Sequence, residues 1–149
     1  ATQYVAEALR EVGEFAESYK VTATLETHDS FSRARHAAAV IKAADHPRVQ
    51  CLWDIMHPVN HGETMTEAFD HVKPYVLHCH IHDGAKTNGN LELRLLGEGD
   101  IDHLEAMRLL KTIEFHGHLS GEFINYLPPD EVLPQYANKL REYEAVLSG

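Results

Sequence analysis

The stretch YVLHCHIHDG, residues 75–84, decides how this chain is read. It follows Pro74, which stops the helix before it, and it alternates with period two. His78, His80 and His82 therefore fall on one side of an otherwise apolar strand. Burying even one imidazole requires a hydrogen-bond partner, so three in a row demand a reason.

Working outward, strands and helices alternate. A first helix carries Val5, Leu9, Val12, Ala16 and Tyr19 as one apolar stripe. Residues 21–28, VTATLETH, read as a strand rich in β-branched residues. Ser30 is placed to cap a second helix over Phe31 to Ala44, which ends at His46-Pro47. A strand over Val49 to His57 follows. Thr64 and Glu67 then form a capping box for a helix ending near Val72. After the histidine strand, residues 84–90 (GAKTNGN) have loop composition, and Asp102 with Glu105 opens another helix. Residues 118–125, HLSGEFIN, read as the fourth strand, and Pro128-Pro129-Asp130 begins a last helix with Leu133, Ala137, Leu140, Val146 and Leu147 facing inward. This α-βα-βα-βα-βα order predicts an α/β fold of parallel strands joined by right-handed crossovers.

The 149 residues suffice for one domain with a real core, and 24% charged with 44% hydrophobic residues is ordinary for a globular chain. A formal net charge of −10 disfavours nucleic acid or an anionic membrane as the main partner, because both are bound by clustered Lys and Arg. The two cysteines, Cys51 and Cys79, sit within buried strands and read as reduced core thiols rather than a disulfide. With no signal peptide or long apolar run, a cytoplasmic location is expected. The first residue is not Met and lies in a helical pattern, as in a processed chain or a fragment.

The strands end in Glu26, Asp54, His80 and Glu122. In a parallel sheet these ends lie on the side where α/β proteins build their sites. Singly, each has an ordinary explanation: a glutamate solvated in a loop, a hydrogen-bonded core histidine, an aspartate capping a turn. Together, three carboxylates and one imidazole would repel and resist desolvation, and a divalent cation resolves both difficulties. Mixed oxygen and nitrogen donors suit Mn²⁺, Mg²⁺ or Co²⁺, and Zn²⁺ is also compatible. His78 lies one layer deeper, as a core or supporting residue. His82 and Asp83 stand at the loop edge, where substrate contact and solvation are equally good readings.

The ordered set LETHD (25–29), WDIMH (53–57), HCHIHD (78–83), LGEGDID (96–102) and LSGEF (119–123) resembles the sugar isomerase/epimerase family with the xylose-isomerase-like TIM barrel. The resemblance covers nearly the whole chain. It implies a metal held by Glu26, Asp54, His80 and Glu122, and a substrate contact from His57. It also implies that Glu26 and Glu122 exchange the substrate proton, through a metal-stabilised enediolate. A basic residue after the third strand often touches the sugar hydroxyl or phosphate in this family. Lys86 and Arg94 are the candidates, with solvation the favoured reading of Lys86. The implied activity is that of a metal-dependent isomerase acting on a sugar or sugar phosphate in carbohydrate metabolism. Three-zinc apurinic endonucleases share the superfamily, but residues 91–96, LELRLL, lack their Asp-x-His, which argues against a nuclease.

The family has eight βα units in about 250 residues. This chain shows four, matching the second half, so residues 1–149 are expected to form the C-terminal half of one such domain. A half barrel leaves two strand edges unpaired. The missing half is expected from a longer chain, from a homodimer about a twofold axis, or from another polypeptide. A metal-binding half-barrel without turnover is the alternative function.

Overall fold

The computed structural model describes residues 2–88, 90–124 and 126–149. Four strands form one parallel sheet in the order β1-β2-β3-β6: β1 (Ala23–Glu26), β2 (Val49–Asp54), β3 (Val76–Ile81) and β6 (Leu119–Gly121). Helices α1 (Thr2–Ser18), α2 (Ala34–Ala44), α3 (Met56–Asn60), α4 (Met65–Val72), α5 (His103–Thr112) and α6 (Pro129–Ser148) flank it. This is the expected parallel α/β arrangement. Among the described residues, β1 and β6 each pair on one side only.

The core lies between the sheet and the helices. Val49, Cys51 and Trp53 of β2 and Cys79 and Ile81 of β3 pack against Val40, Ile41 and Ala44 of α2 and Phe69 and Val72 of α4. Both cysteines are free and buried. Burial, reinforced by the charge of Glu26, pushes the Cys51 thiol up to about 12, and burial raises Cys79 as well. Such thiols are inert packing groups at neutral pH. No helix among the described residues is long and apolar enough to cross a membrane.

Several local expectations change. Ser30 does not cap a helix. Asp29–Phe31 is a short 3₁₀ turn, and α2 starts at Ala34, where the Glu63 carboxylate accepts the amides of Ala34 (2.6 Å) and Arg35 (3.4 Å). A carboxylate from a distant loop thus satisfies donors that a local side chain would otherwise take. The second strand stops at Asp54 rather than His57, because Asp54 Oδ1 accepts the amides of Met56 (2.9 Å) and His57 (3.1 Å) and opens α3.

Residues 84–90 are not a loop. β4 (Asp83–Thr87) and β5 (Asn90–Arg94) form an antiparallel hairpin with Thr87 opposite Asn90. Asn88 takes the left-handed conformation (φ 52°) that two-residue hairpin turns require. Gly89 lies outside the described residues. The fourth expected strand shortens to Leu119–Gly121, and Asn125 at its expected end also lies outside them.

In α1 the buried residues are Ala6, Gly13 and Ala16, while Val12, and Tyr19 just beyond the helix, are exposed. The small residues allow close approach: a Cβ on Gly13 would press into His46 and Val49. Leu133 and Val146 of α6 are likewise exposed, and Val132 and Tyr136 are buried in their place.

Candidate metal centre

The four strand tips converge. One donor atom each from Glu26, Asp54, His80 and Glu122 lies within 4.8 Å of every other. The parallel register causes this. Asp54 pairs with His80, His80 pairs with Ser120, and Glu26 ends β1 opposite Leu52. Residues of one pleat on neighbouring strands face the same way, so four successive strand ends aim their side chains at one point.

Around His80, Nδ1 is 2.8 Å from Glu26 Oε1 and 3.3 Å from Glu122 Oε2. Asp54 is fully buried, whereas the side chains of Glu26, His80 and Glu122 keep 20–30% exposure. Asp54 Oδ1 is used by the α3 amides, and Oδ2 lies 2.7 Å from His82 Nε2. Burial alone would raise the Asp54 carboxyl. Contact with His82 and the nearby charges of His82 and His57 outweigh burial and hold it below its ordinary range.

The donor set fits a divalent cation. Carboxylates outnumber the imidazole three to one in this cluster, a donor set that a divalent cation would balance. Among the described residues, Asp54 Oδ2 and Glu122 Oε2 are buried with no hydrogen bond of regular geometry, their nearest polar neighbours being His82 Nε2 at 2.7 Å and His80 Nδ1 at 3.3 Å. Buried carboxylate oxygens are seldom left so unless a cation takes them. Oxygen-rich donors with one imidazole suit Mn²⁺, Mg²⁺ or Co²⁺, with Zn²⁺ also accommodated.

His57 stands beside the cluster, at the start of α3. Its Nε2 is 4.0 Å from Asp54 Oδ2, and its ring packs edge-on against His28 at 4.3 Å. Burial lowers its pKa, only partly opposed by Asp54, so the neutral ring is favoured. His82 does not take the loop-edge position, open to substrate or solvent, that the sequence suggests. It is in fact 6% exposed, with Nε2 2.7 Å from Asp54 Oδ2. His78 is held from one layer deeper by Ser120, Nε2 to Oγ 2.8 Å.

Asp83 is neither a substrate contact nor solvated. It is fully buried, and its carboxylate accepts the amides of Gly84 (2.8 Å), Gly97 (2.8 Å), Gly99 (3.1 Å) and Ile101 (3.3 Å). The LGEGD motif is thus a loop wrapped around one aspartate. Gly97 is left-handed (φ 86°), and a Cβ on Gly99 would collide with that carboxylate.

Lys86 and Arg94 lie on the hairpin. Lys86 is exposed and donates Nζ to the Asn60 carbonyl at the end of α3 (3.1 Å). Arg94 is half-buried and engages Glu92 (2.7 Å), Thr87 and the Leu93 carbonyl. Among the described residues, neither makes a hydrogen bond or ion pair with the cluster. The sequence alone does not point to Glu63. Its partners are 28 and 29 residues away, so no local pattern announces it.

A parallel α/β sheet with a four-residue acid–imidazole cluster at its carboxyl edge defines the class. Residues 1–143 match the family described as xylose isomerase-like TIM barrel, and the chain belongs to that family. It is 27% identical over 145 residues to the uncharacterized protein MJ1311 of Methanocaldococcus jannaschii, covering 90% of this chain and 48% of that protein. A xylose isomerase-like TIM barrel protein from Mycobacterium smegmatis, solved in complex with magnesium, superposes with a TM-score of 0.76 at 21% identity; the match covers 95% of this chain and 50% of that one. D-psicose 3-epimerase from Clostridium cellulolyticum H10, solved with D-tagatose, superposes at 0.74 with 20% identity, covering 95% and 55%. The chain thus spans about half the length of the proteins it matches.

Proposed function

We propose that this chain is the metal-binding, proton-transferring part of a sugar isomerase or epimerase, corresponding to the C-terminal half of a xylose-isomerase-like barrel. The observation that carries the reading is the convergence of Glu26, Asp54, His80 and Glu122 within 4.8 Å from four strand ends. A divalent ion held by these residues would supply Lewis-acid polarisation of the carbonyl and hydroxyl oxygens of a sugar.

The protein's own groups do the rest. Glu26 ends β1 and Glu122 follows β6, the two outer strands, and both carboxylates reach His80; on this reading they serve a bound sugar as the acid/base pair. One takes the carbon-bound proton beside the carbonyl, and the other returns a proton to the opposite face or the neighbouring carbon. Asp54 is pinned by two amides and holds its remaining oxygen still, which limits reorganisation during proton transfer. Neutral His57, braced by His28, is placed to hydrogen-bond a substrate hydroxyl. Lys86 and Arg94 would line the hairpin side of the entrance. The substrate class is a small sugar or sugar phosphate, in keeping with the epimerase held with D-tagatose among the similar structures.

A second reading has its own observation. Both edge strands pair on one side only among the described residues, and the matched structures extend to about twice this length. On this reading the chain binds metal but turns over only when a second half closes the barrel, supplied by the same polypeptide, a second copy or a partner.

Exchange of carbon-bound hydrogen from a panel of ketoses into D₂O, with Mn²⁺ present, tests both. Exchange that vanishes in Glu26→Gln and in Glu122→Gln, with the fold intact by circular dichroism, is expected. Undiminished exchange in Glu122→Gln removes the proposed role. Exchange appearing only after the remaining barrel units are added selects the second reading.

A further inference from the structure

Of the four cluster residues, Glu122 has the least support from its own strand. β6 ends one residue earlier, at Gly121, and the Glu122 amide makes only a long bond to the Ile81 carbonyl (3.3 Å). Asp54, by contrast, has one carboxylate oxygen pinned by two amides. The Glu122 side chain keeps 23% exposure, so burial alone does not fix its direction. Its Oε2 nevertheless lies 3.3 Å from His80 Nδ1.

The next residue supplies the hold. Phe123 packs against the core, and its ring lies over Gly121, where a Cβ would take the ring's place. The backbone on both sides of Glu122 therefore depends on where this ring sits. The ring meets Tyr136 of α6 edge to face, with centroids 4.5 Å apart and planes at 75°, a favoured aromatic geometry. Tyr136 is itself anchored. It is 3% exposed, and its hydroxyl accepts the Asp83 amide (3.2 Å) and donates to the Arg94 carbonyl (3.3 Å). Burial pushes that hydroxyl up to about 12, so it keeps the proton it donates. One tyrosine thus ties the tip of β6 to the junction of β3 with the hairpin.

The geometry points to Tyr136 as a positioning residue for Glu122: through the Phe123 ring it holds the Glu122 carboxylate toward His80. This role rests on the proposed reading of Glu122 as a metal ligand, and not on turnover of a sugar. Ring and hydroxyl do separate work. The ring sets Phe123, and with it Glu122. The hydroxyl anchors the ring, and its loss leaves the Asp83 amide and the Arg94 carbonyl without that partner, which costs stability.

The test is a double-mutant cycle read by Mn²⁺ titration calorimetry, with circular dichroism to confirm the fold and ketose hydrogen exchange into D₂O as a second readout. Tyr136→Leu and Phe123→Leu are each expected to weaken Mn²⁺ by about 10–100-fold, the usual cost of losing a group that orients a ligand. Tyr136→Phe is expected to lower the urea midpoint and yet keep most of the Mn²⁺ affinity, because the ring remains. In a Glu122→Gln background the carboxylate is already gone, so Tyr136→Leu should weaken Mn²⁺ by no more than about twofold. A general loosening of the fold would weaken it equally in both backgrounds. Equal weakening in the two backgrounds, or Mn²⁺ affinity unchanged in both leucine variants, overturns the role. Hydrogen exchange that vanishes in Glu122→Gln, with no coupling to Tyr136, removes the role and leaves the proposed function. Coupling in Mn²⁺ affinity without exchange from any ketose does the reverse.

Discussion

Replacing Asp83 by Asn keeps the shape of the most heavily used side chain in the fold and removes one of its acceptor oxygens. Oδ1 accepts from Gly84 and Ile101, and Oδ2 from Gly97 and Gly99. An amide offers one oxygen, so in either orientation two of these four amides face an NH₂ that cannot accept. Hydrogen bonds to charged groups contribute about 1.5–3 kcal/mol each, and a buried donor left unpaired costs a further 1–3. The full sum is not realised, because the exposed parts of residues 97–99 turn to water. A loss of about 3 kcal/mol is expected for Asp83→Asn, and more for Asp83→Ala, from urea unfolding followed by tryptophan fluorescence. The loss should be local as well as global. Amide exchange at Gly97, Gly99 and Ile101 should accelerate well beyond that in β2. A variant within 0.5 kcal/mol of wild type, an ordinary range for surface changes, or with unchanged exchange at these amides, would refute the view that one aspartate organises the loop.

Glu63→Ala should cost about 1–2 kcal/mol, read by thermal unfolding, because α2 loses the side chain that, among the described residues, holds its first amides. Mn²⁺ at about 100 times its Kd should stabilise the protein by about 2.7 kcal/mol, reversibly with chelator, and Asp54→Ala should abolish that shift. His103 is buried and its pKa lies below the ordinary imidazole value, chiefly through desolvation. The unfolded chain therefore binds the proton first as pH falls below about 6.5, and stability declines from there by up to roughly 1.4 kcal/mol per pH unit until the folded pKa is reached. His103→Asn should flatten that part of the curve in urea midpoints measured from pH 7 to 5, and an equally steep curve would count against the buried neutral ring.

The alternation of elements, and with it the parallel sheet, was legible because burial on both faces forces apolar strands and helix-period stripes into the chain itself. The candidate ligands were legible for a related reason. Glu26, Asp54, His80 and Glu122 each break an apolar strand at its end, and parallel topology converts equal positions along strands into nearness in space. The hairpin could have been read from Asn88-Gly89, whose left-handed preference outweighs the loop-like composition around it. What local sequence could not carry were interactions between distant segments. Glu63 reaches the start of α2, and Asp83 gathers amides up to 18 residues away. His82 abandons the solvent edge for Asp54. Sequence periodicity reports which face a residue takes, because that depends on neighbours two to four positions away. Which buried carboxylate meets which distant donor depends on how the elements dock, and only the tertiary structure decides that.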